Sequence, residues 1–121
     1  MKIQVKESVI RSNDKRIKYK RFTQNGRDHY HLGVWLDGDE RDLDQINYVE
    51  YRLHPSFNRS LRKSLNRRNN FSITFWTWGM FSITITIYRH EGNPIIITHD
   101  LNYSLPDDTG SNYIDVSKDI S

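Results

Sequence analysis

Apolar and polar residues alternate along most of the chain, and this is the pattern of half-buried β-strands. In the most regular run, residues 81–88, each odd position is Phe or Ile and each even position is Ser, Thr or Tyr. We also expect a basic strand at residues 16–22, placed at a sheet edge where Lys and Arg discourage pairing with other chains. Further strands are expected at residues 3–10, 30–36, 49–54, 71–76 and 95–103.

Turn-forming residues separate these predicted strands. Asn, Asp, Gly or Pro cluster at residues 13–14, 25–26 and 91–94, where they favour tight turns. About seven or eight short strands at close spacing, with no convincing helix, are typical of two antiparallel sheets packed face to face. The pattern therefore predicts an all-β sandwich.

Two segments interrupt the alternation. Residues 37–44 hold five acidic side chains and one Gly, so we expect an exposed loop. Residues 58–70 hold five Lys or Arg and no acid. There, Leu61 and Leu65 are four positions apart and suit a short helix, but an irregular strand and loop would serve equally.

Length and composition favour one soluble domain. A chain of 121 residues fits a single core, and the absence of cysteine excludes disulfides and thiolate chemistry. The first residues lack the apolar stretch of a signal peptide, and no apolar run approaches the ~20 residues of a membrane-spanning helix. We expect a cytoplasmic protein with no membrane partner and no cofactor. The predicted sandwich covers residues 1–104, and residues 105–121 are expected to form an acidic, flexible tail.

Charge is distributed unevenly along the chain. The net charge is +3, but residues 105–121 carry four Asp and one Lys, which leaves +6 on the first 104 residues. A basic body raises the possibility of nucleic acid as a partner. The candidate stripe combines residues 15–21 with Arg59, Arg62, Lys63, Arg67 and Arg68. A solvated basic edge is the simpler interpretation, so nucleic-acid binding is kept as an alternative.

Aromatic side chains are predicted to point away from the core at one end of the sandwich. In the strand at residues 71–76 the core positions are odd-numbered, so Trp76 and Trp78 face outward. His54 also lies on the outward parity of its strand, and a loop with a hydroxyl and a phenyl ring follows it. Aromatic rings facing one another across two loops could hold a flat ligand group, or they could simply cover the end of the sandwich.

Two motifs resemble the YEATS domain family, especially its prokaryotic branch. One is Val-Glu-Tyr-Arg-Leu-His-Pro-Ser-Phe at residues 49–57. The other is Thr-Trp-Gly-Met-Phe at residues 77–81, which leads into the Ile-rich strand at residues 82–88. The strand at residues 30–37 is similar more loosely, and the resemblance covers roughly residues 28–103. It implies an immunoglobulin-like sandwich without enzymatic activity that reads acylated lysine, or binds another modified protein or a small ligand.

The resemblance also implies roles for individual residues. The acyl amide would lie flat between the rings of Phe57 and Trp78, and the Ser56 hydroxyl would bond to the amide. The backbone N–H of Trp78 would hold the acyl carbonyl, while His54 would line the slot and Gly79 would allow close approach. The expected ligand-binding residues are His54, Ser56, Phe57, Thr77, Trp78 and Gly79. The sequence departs from the family pattern at Thr77, where the family has Gly, and at Met80.

The sequence also offers alternatives to an acyl-lysine slot. His29 and His31 share one face of a strand and could begin a metal site, but no third ligand occurs at useful spacing, so no metal is expected. No nucleophile and base are arranged around His54, so no catalytic residue is predicted. A protein-interaction module of a prokaryotic signalling or defence system, which would use the outward Trp35, Tyr48 and Tyr88, is the main alternative.

Overall fold

The computed structural model describes residues 2–21, 28–105 and 112–116, which fold into a two-sheet sandwich. Within these residues it contains a one-turn helix, α1 (Glu40–Leu43), a 3-10 helix at Arg67–Asn69, and nine strands. The strands are β1 (Ile3–Val9), β2 (Ile17–Arg21), β3 (Asp28–Gly38), β4 (Ile46–Arg52), β5 (Leu61–Ser64), β6 (Ile73–Thr77), β7 (Ser82–Arg89), β8 (Ile95–Asp100) and β9 (Tyr113–Asp115).

The long strand β3 organises the first sheet. The strands β1 and β2 pair with successive parts of one edge of β3, and β6 pairs with the other edge. The second sheet has the order β5-β4-β7-β8. All pairs are antiparallel except β2 with β9, which is parallel. The all-β, immunoglobulin-like sandwich expected from the sequence is confirmed.

The core forms where the alternating strands place their apolar residues between the sheets. Ile83, Ile85 and Ile87 of β7 are fully buried, as the sequence pattern predicts, while the Ser and Thr residues between them face outward. Burying each such side chain contributes roughly 1.5–3 kcal/mol before entropy is counted. Both sheets supply buried residues to the same cluster, which is Leu32, Val34, Leu36, Leu43, Ile46, Val49, Tyr51, Leu53, Phe71, Phe75, Ile83, Ile85, Ile87 and Leu101.

The chain enters β6 through a left-handed bend. Asn70 and Phe71 both have a φ of 57°, so the strand begins at Ile73, two residues later than the alternation suggests. Phe71 nevertheless enters the core, and its carbonyl accepts a 2.6 Å hydrogen bond from the buried Tyr51 hydroxyl. Burial raises the pKa of Tyr51, so this hydroxyl remains a donor.

The acidic segment at residues 37–44 is not the loop we expected. The strand β3 continues to Gly38, and α1 follows because Leu43, the single large apolar residue of the segment, reaches the core. Arg67 fixes this turn from outside, with Nη2 2.6 Å from Glu40 and Nε 3.0 Å from Asp44. Of the two alternatives for residues 58–70, the irregular strand and loop forms, as β5 and the 3-10 helix.

The basic strand β2 is not an edge strand. Its register aligns Ile17 with Tyr113 and Tyr19 with Asp115, so β9 covers the side that β3 leaves open. A part of the segment expected to be a flexible tail is therefore sheet, although the division at residue 104 stays a prediction. The turn expected at residues 25–26 lies outside the described residues. No helix in the described ranges is long and apolar enough to cross a membrane, and the cytoplasmic location stays a prediction.

Candidate functional site

A cavity of about 480 Å³ opens between the loop that follows β4 and the corner that joins β6 to β7. All six residues that the sequence nominates for ligand binding line it. The complete lining is His29, His54, Ser56, Phe57, Asn58, Trp76, Thr77, Trp78, Gly79, Met80 and Phe81. The two sequence motifs, about twenty residues apart in the chain, therefore form one concave surface.

The loop after β4 folds on itself through His54. The backbone N–H of Phe57 donates to the His54 carbonyl at 3.0 Å, which closes a turn. The backbone N–H of Ser56 donates to Nδ1 of the His54 ring at 3.1 Å, so Nδ1 is an acceptor and the ring proton lies on Nε2. The Ser56 hydroxyl is 2.8 Å from the same Nδ1 and donates to it. The lone pairs of the Ser56 oxygen are left for an incoming N–H donor.

Phe57 is both a wall of the cavity and a part of the core. Its ring packs edge-to-face on Phe75 with centroids 5.8 Å apart, and it lies tilted against Phe81 at 5.4 Å. Such aromatic contacts add about 0.5–1.5 kcal/mol each beyond area burial. The position of this ring is therefore fixed by the core of the sandwich.

The corner between β6 and β7 is held by the Thr77 hydroxyl. This oxygen accepts from the backbone N–H of Gly79 at 3.3 Å and donates to the Gly79 carbonyl at 3.2 Å. The Tyr103 hydroxyl donates to the same carbonyl at 3.2 Å, and burial, first among several causes, raises the pKa of Tyr103, so its proton is retained. Thr77 is only 4% exposed, so it serves as an internal brace of the corner.

Large apolar side chains remain exposed at this corner. Trp78 is 50% exposed and Met80 is 56% exposed. A Cβ added to Gly79 would meet no heavy atom within 4 Å, so the space beside the corner is open. The outward position that strand parity predicts for Trp78 is confirmed. Exposed apolar surface at the mouth of a cavity is typical of a binding site for another molecule.

Five residues of the lining are not among the six that the sequence predicted for ligand binding, namely His29, Asn58, Trp76, Met80 and Phe81. The pairing of β3 with β6 places Tyr30 opposite Thr77 and His31 opposite Trp76. This register brings His29 to the corner. A prediction of which strands are neighbours would have found it, because alternation shows only which side of its own strand a residue occupies.

A second cavity of about 370 Å³ adjoins the first along β6. Phe57, Asn58 and Trp76 line both. The rest of its wall consists of His31, Arg59, Arg62, Thr74 and Phe75. We name the two the corner cavity and the edge cavity.

The floor of the edge cavity contains a stack of two flat rings. His31 lies parallel to Trp76 with centroids 4.5 Å apart, and Nζ of Lys20 is 4.1 Å from the Trp76 ring centroid. Burial, together with the charges of Lys18 and Lys20, lowers the pKa of His31 to about 4. His31 is therefore a neutral, stacked ring at physiological pH.

The structure also bears on the three alternatives to a ligand slot, namely a metal site, a nucleic-acid surface and a protein-interaction surface. No group of three or more His, Cys, Asp or Glu that could hold a metal occurs in the described parts of the chain. The basic run of residues 59–68 is divided between two surfaces, because Arg62 reaches the Thr74 carbonyl while the neighbouring Lys63 lies over Tyr48 on the opposite face of β5. The rings of Tyr48 and Tyr88 stack with centroids 4.5 Å apart on the outer face of the second sheet.

Comparison with solved structures finds the same fold in YEATS domains. The crystal structure of the yeast AF-9 homolog protein Yaf9 matches with a TM-score of 0.55 and 22% identity, over 63% of this chain and 56% of that one. The Yaf9 YEATS domain bound to H3K27ac matches with a TM-score of 0.56 and 23% identity, over 64% and 57%. The Yaf9 YEATS domain recognizing an H3K122suc peptide matches with a TM-score of 0.54 and 19% identity, over 84% and 68%.

The chain thus spans little more than half the length of the first two of these structures. No curated protein matches it. A family model described as the prokaryotic YEATS domain matches residues 30–102, which include most of the strand β3, both motifs and the complete lining of the corner cavity except His29. Since this match covers more than half of the sequence, the chain belongs to the prokaryotic YEATS domain family.

Proposed function

We propose that the protein is a non-catalytic reader module that takes an acylated lysine side chain into the corner cavity. The observation that carries the proposal is the meeting of both sequence motifs around one cavity with an exposed indole at its mouth. The relatives of the same fold include Yaf9 YEATS domains bound to H3K27ac and recognizing an H3K122suc peptide. A peptide or protein carrying an acylated lysine is accordingly the partner we propose.

The chemistry of the cavity suits a neutral side chain that ends in a flat amide. Its volume of about 480 Å³ lies in the range of roughly 300–1,000 Å³ that is usual for ligand pockets. The aromatic rings of Phe57 and Trp78 offer apolar faces for the amide plane. An unmodified lysine would carry its ammonium into the same place and would lose hydration there, which disfavours it.

The Ser56 hydroxyl is the proposed partner of the amide N–H. Its own hydrogen is directed to Nδ1 of His54, so the oxygen can accept. The short Ser56–His54 contact does not suggest a hydrolase, because no carboxylate in the described residues bonds to the His54 ring as a triad would require. His54 is proposed to orient Ser56.

Two substitutions relative to the family pattern bear on the choice of acyl group. Thr77 is nearly buried and directs its hydroxyl to Gly79. The entrance of the cavity is therefore formed by Trp78 and Met80, which are exposed. Met80 is flexible and polarizable and can adapt to chains of different length. We propose that Met80 contacts the end of the acyl chain.

Titration of lysine peptides tests the function. Acetyl-, crotonyl- and succinyl-lysine peptides and the unmodified peptide are added to the protein, and indole fluorescence is followed. At least one acylated peptide should bind with an affinity that exceeds the unmodified one by about tenfold or more, and Ser56→Ala should reduce that affinity about tenfold. Ser8→Ala, an exposed change on β1, is the control and should have no effect.

Absence of a response to every acyl group would favour the interaction-module alternative. The stacked Tyr48 and Tyr88 and the exposed Ile96 on the outer face of the second sheet are the surface that this alternative would use. The salt dependence of the affinity distinguishes nucleic-acid binding from acyl-lysine binding. Affinity that depends on phosphate contacts falls steeply as ionic strength rises, whereas affinity that depends on insertion of a neutral acyl group changes little.

A further inference from the structure

The edge cavity adjoins the corner cavity, within reach of a polypeptide whose lysine enters the corner cavity. The two cavities share the walls formed by Phe57, Asn58 and Trp76. An extended chain advances about 3.3–3.6 Å per residue, so residues within about three positions of the lysine would lie over the edge cavity. The side chains of the edge cavity therefore meet the sequence that flanks the modification.

Positive charge is concentrated at the edge cavity. Arg59 and Arg62 line it, and its wall contains no Asp or Glu. Nε of Arg62 donates to the Arg59 carbonyl at 2.7 Å and Nη1 is 3.5 Å from the Thr74 carbonyl, so the guanidinium is held along the free edge of β6. Burial, followed by the charge of the neighbouring Arg59, lowers the pKa of Arg62.

Two other arginines, Arg16 and Arg67, are neutralised by carboxylates. Arg67 bonds to Glu40 and Asp44, and Arg16 bonds to Asp14 at 2.6 Å. By contrast, within residues 2–21, 28–105 and 112–116 neither Arg59 nor Arg62 forms an ion pair with a carboxylate. Arg59 and Arg62 thus border a cavity and have charge available for a partner.

We propose that Arg59 and Arg62 form an anion subsite that selects peptides with Asp or Glu within about three residues of the acylated lysine. This inference rests on the proposed function, because it places the flanking sequence by means of the corner cavity. A guanidinium presents its N–H groups in a fork that matches a carboxylate, so the subsite distinguishes acidic from basic neighbours. A peptide is favoured over nucleic acid because Lys63 lies over Tyr48 on the other face of β5 and Arg67 is already bonded to Glu40 and Asp44.

Peptides that differ only in their flanks test the subsite. Three peptides carry the same acyl-lysine, with Glu, Gln or Lys at the neighbouring positions, and their affinities are measured by indole fluorescence at low and high salt. The Glu peptide should bind about three- to tenfold more tightly than the Gln peptide, and the difference should shrink as salt screens the charges. The Lys peptide should bind more weakly than both.

Charge reversal provides the matched pair of variants. Arg59→Glu keeps the backbone carbonyl that Arg62 uses, so it changes the charge while the loop hydrogen bond stays in place. The net charge of the pair falls from +2 to 0, so the preference for the Glu peptide over the Lys peptide should be lost. Arg68→Glu makes the same change of charge outside both cavities and should leave the order unchanged.

Three results would overturn the proposal in different ways. Equal binding of the Glu and Gln peptides, with acyl dependence intact, would reject the subsite and leave the reader function standing. Loss of acyl dependence altogether would reject both. Displacement of the Glu peptide by a short single-stranded oligonucleotide, dependent on Arg59, would assign the positive charge to nucleic acid instead.

Discussion

At the scale of single residues, the side chains of the candidate site differ in how firmly they belong to the fold. Phe57 packs on Phe75 and Phe81, and Thr77 is buried in its corner. Trp78 and Met80 are at least half exposed. Substitution of the buried residues changes stability and binding together, whereas substitution of the exposed ones changes binding alone.

Trp78→Ala should therefore abolish detectable binding of acylated peptides while the protein stays folded. The indole supplies one of the two proposed ring faces, and its half-exposed position means that little core contact is lost. The midpoint of thermal unfolding should move by less than about 3 °C. Trp35→Ala lies outside both cavities and should keep binding. Unfolding of Trp78→Ala would show that the indole is a core residue and would contradict the site.

Tyr51→Phe should destabilise the protein by about 1–3 kcal/mol without affecting the affinity for peptides. The change removes the buried hydrogen bond to the carbonyl of Phe71 and leaves that carbonyl without its donor. Urea unfolding monitored by fluorescence measures the loss. Tyr51 lines neither cavity. A change in peptide affinity under conditions in which the variant is fully folded would therefore contradict the prediction that Tyr51 acts on stability alone.

At the scale of the elements, the sequence predicted the strands that carry their own alternation and missed those that depend on distant partners. The strand β7 has Ile at every second position and lies within one residue of its predicted bounds, whereas β4, expected at residues 49–54, begins earlier, at Ile46, before a register shift that interrupts its alternation. The helix α1 has a single core residue, Leu43, and is fixed by Arg67 from 23 to 27 residues away. The strand β9 is three residues long and exists through its pairing with β2. Such features have no local signature.

The candidate site shows the same division. Six lining residues follow from two short sequence motifs, because the loops that hold them are short and their strands pack in one core. His29 depends on the register between β3 and β6, and the edge cavity depends on how β5 lies beside β6. These relations join parts of the chain that are more than ten residues apart, and residue periodicity contains no information about them.

The corner between β6 and β7 gives a prediction at this scale. Thr77→Val keeps the shape of the side chain but removes the hydroxyl that bonds to both backbone groups of Gly79. We expect a loss of about 1 kcal/mol in the free energy of unfolding and a clear loss of peptide affinity, because the corner loses its brace. Thr77→Ser retains the hydroxyl and should bind nearly as the native protein does. Equal behaviour of the two variants would show that the brace is dispensable.

The strand β7 gives a second prediction at the scale of the elements. Ile85→Asp places a charge at a fully buried position between β4 and β8, and it should prevent folding. Thr84→Asp, one residue away, faces outward opposite Arg52 and should leave the protein folded. Circular dichroism and thermal unfolding compare the two. A folded Ile85→Asp variant would mean that β7 is not central to the core.

At the scale of the whole molecule, contacts between the sheets and burial of titratable groups decide stability. Glu7 of β1 accepts from the backbone N–H of Asn102 at 3.0 Å and lies 2.9 Å from Nε2 of His99 on β8, so it joins the first sheet to the second. His31 is half-buried against Trp76 in its neutral form. The contact of Glu7 stabilises the packing of the two sheets. The burial of neutral His31 makes the folded state less stable at acid pH.

Stability should fall as the pH is lowered from about 6.5 to about 4. His31 has an ordinary pKa of 6.5 in the unfolded chain and a pKa of about 4 in the folded protein, so the unfolded state binds the extra proton throughout this window. The contribution is complete above pH 6.5, is lost as the pH approaches 4, and amounts to at most about 3 kcal/mol.

Urea unfolding at pH 7 and pH 4.5 measures this dependence in the native protein and in His31→Phe. The phenyl ring can keep the stack on Trp76 but cannot take a proton, so the variant should lose less stability in acid. Carboxylates contribute equally to both proteins and cancel in the difference. An identical loss in both would show that His31 is already protonated in the folded state or remains hydrated.

The double duty of Phe57 limits how the recognition specificity of this domain can diverge. Its ring is at once core packing and the common wall of two cavities. A substitution of Phe57 therefore changes the stability of the fold as well as the shape of both cavities. Trp78, Met80 and Arg59 carry no such constraint, being exposed. Laboratory evolution of new acyl or flank preferences should accumulate its substitutions at those three positions and leave Phe57 untouched.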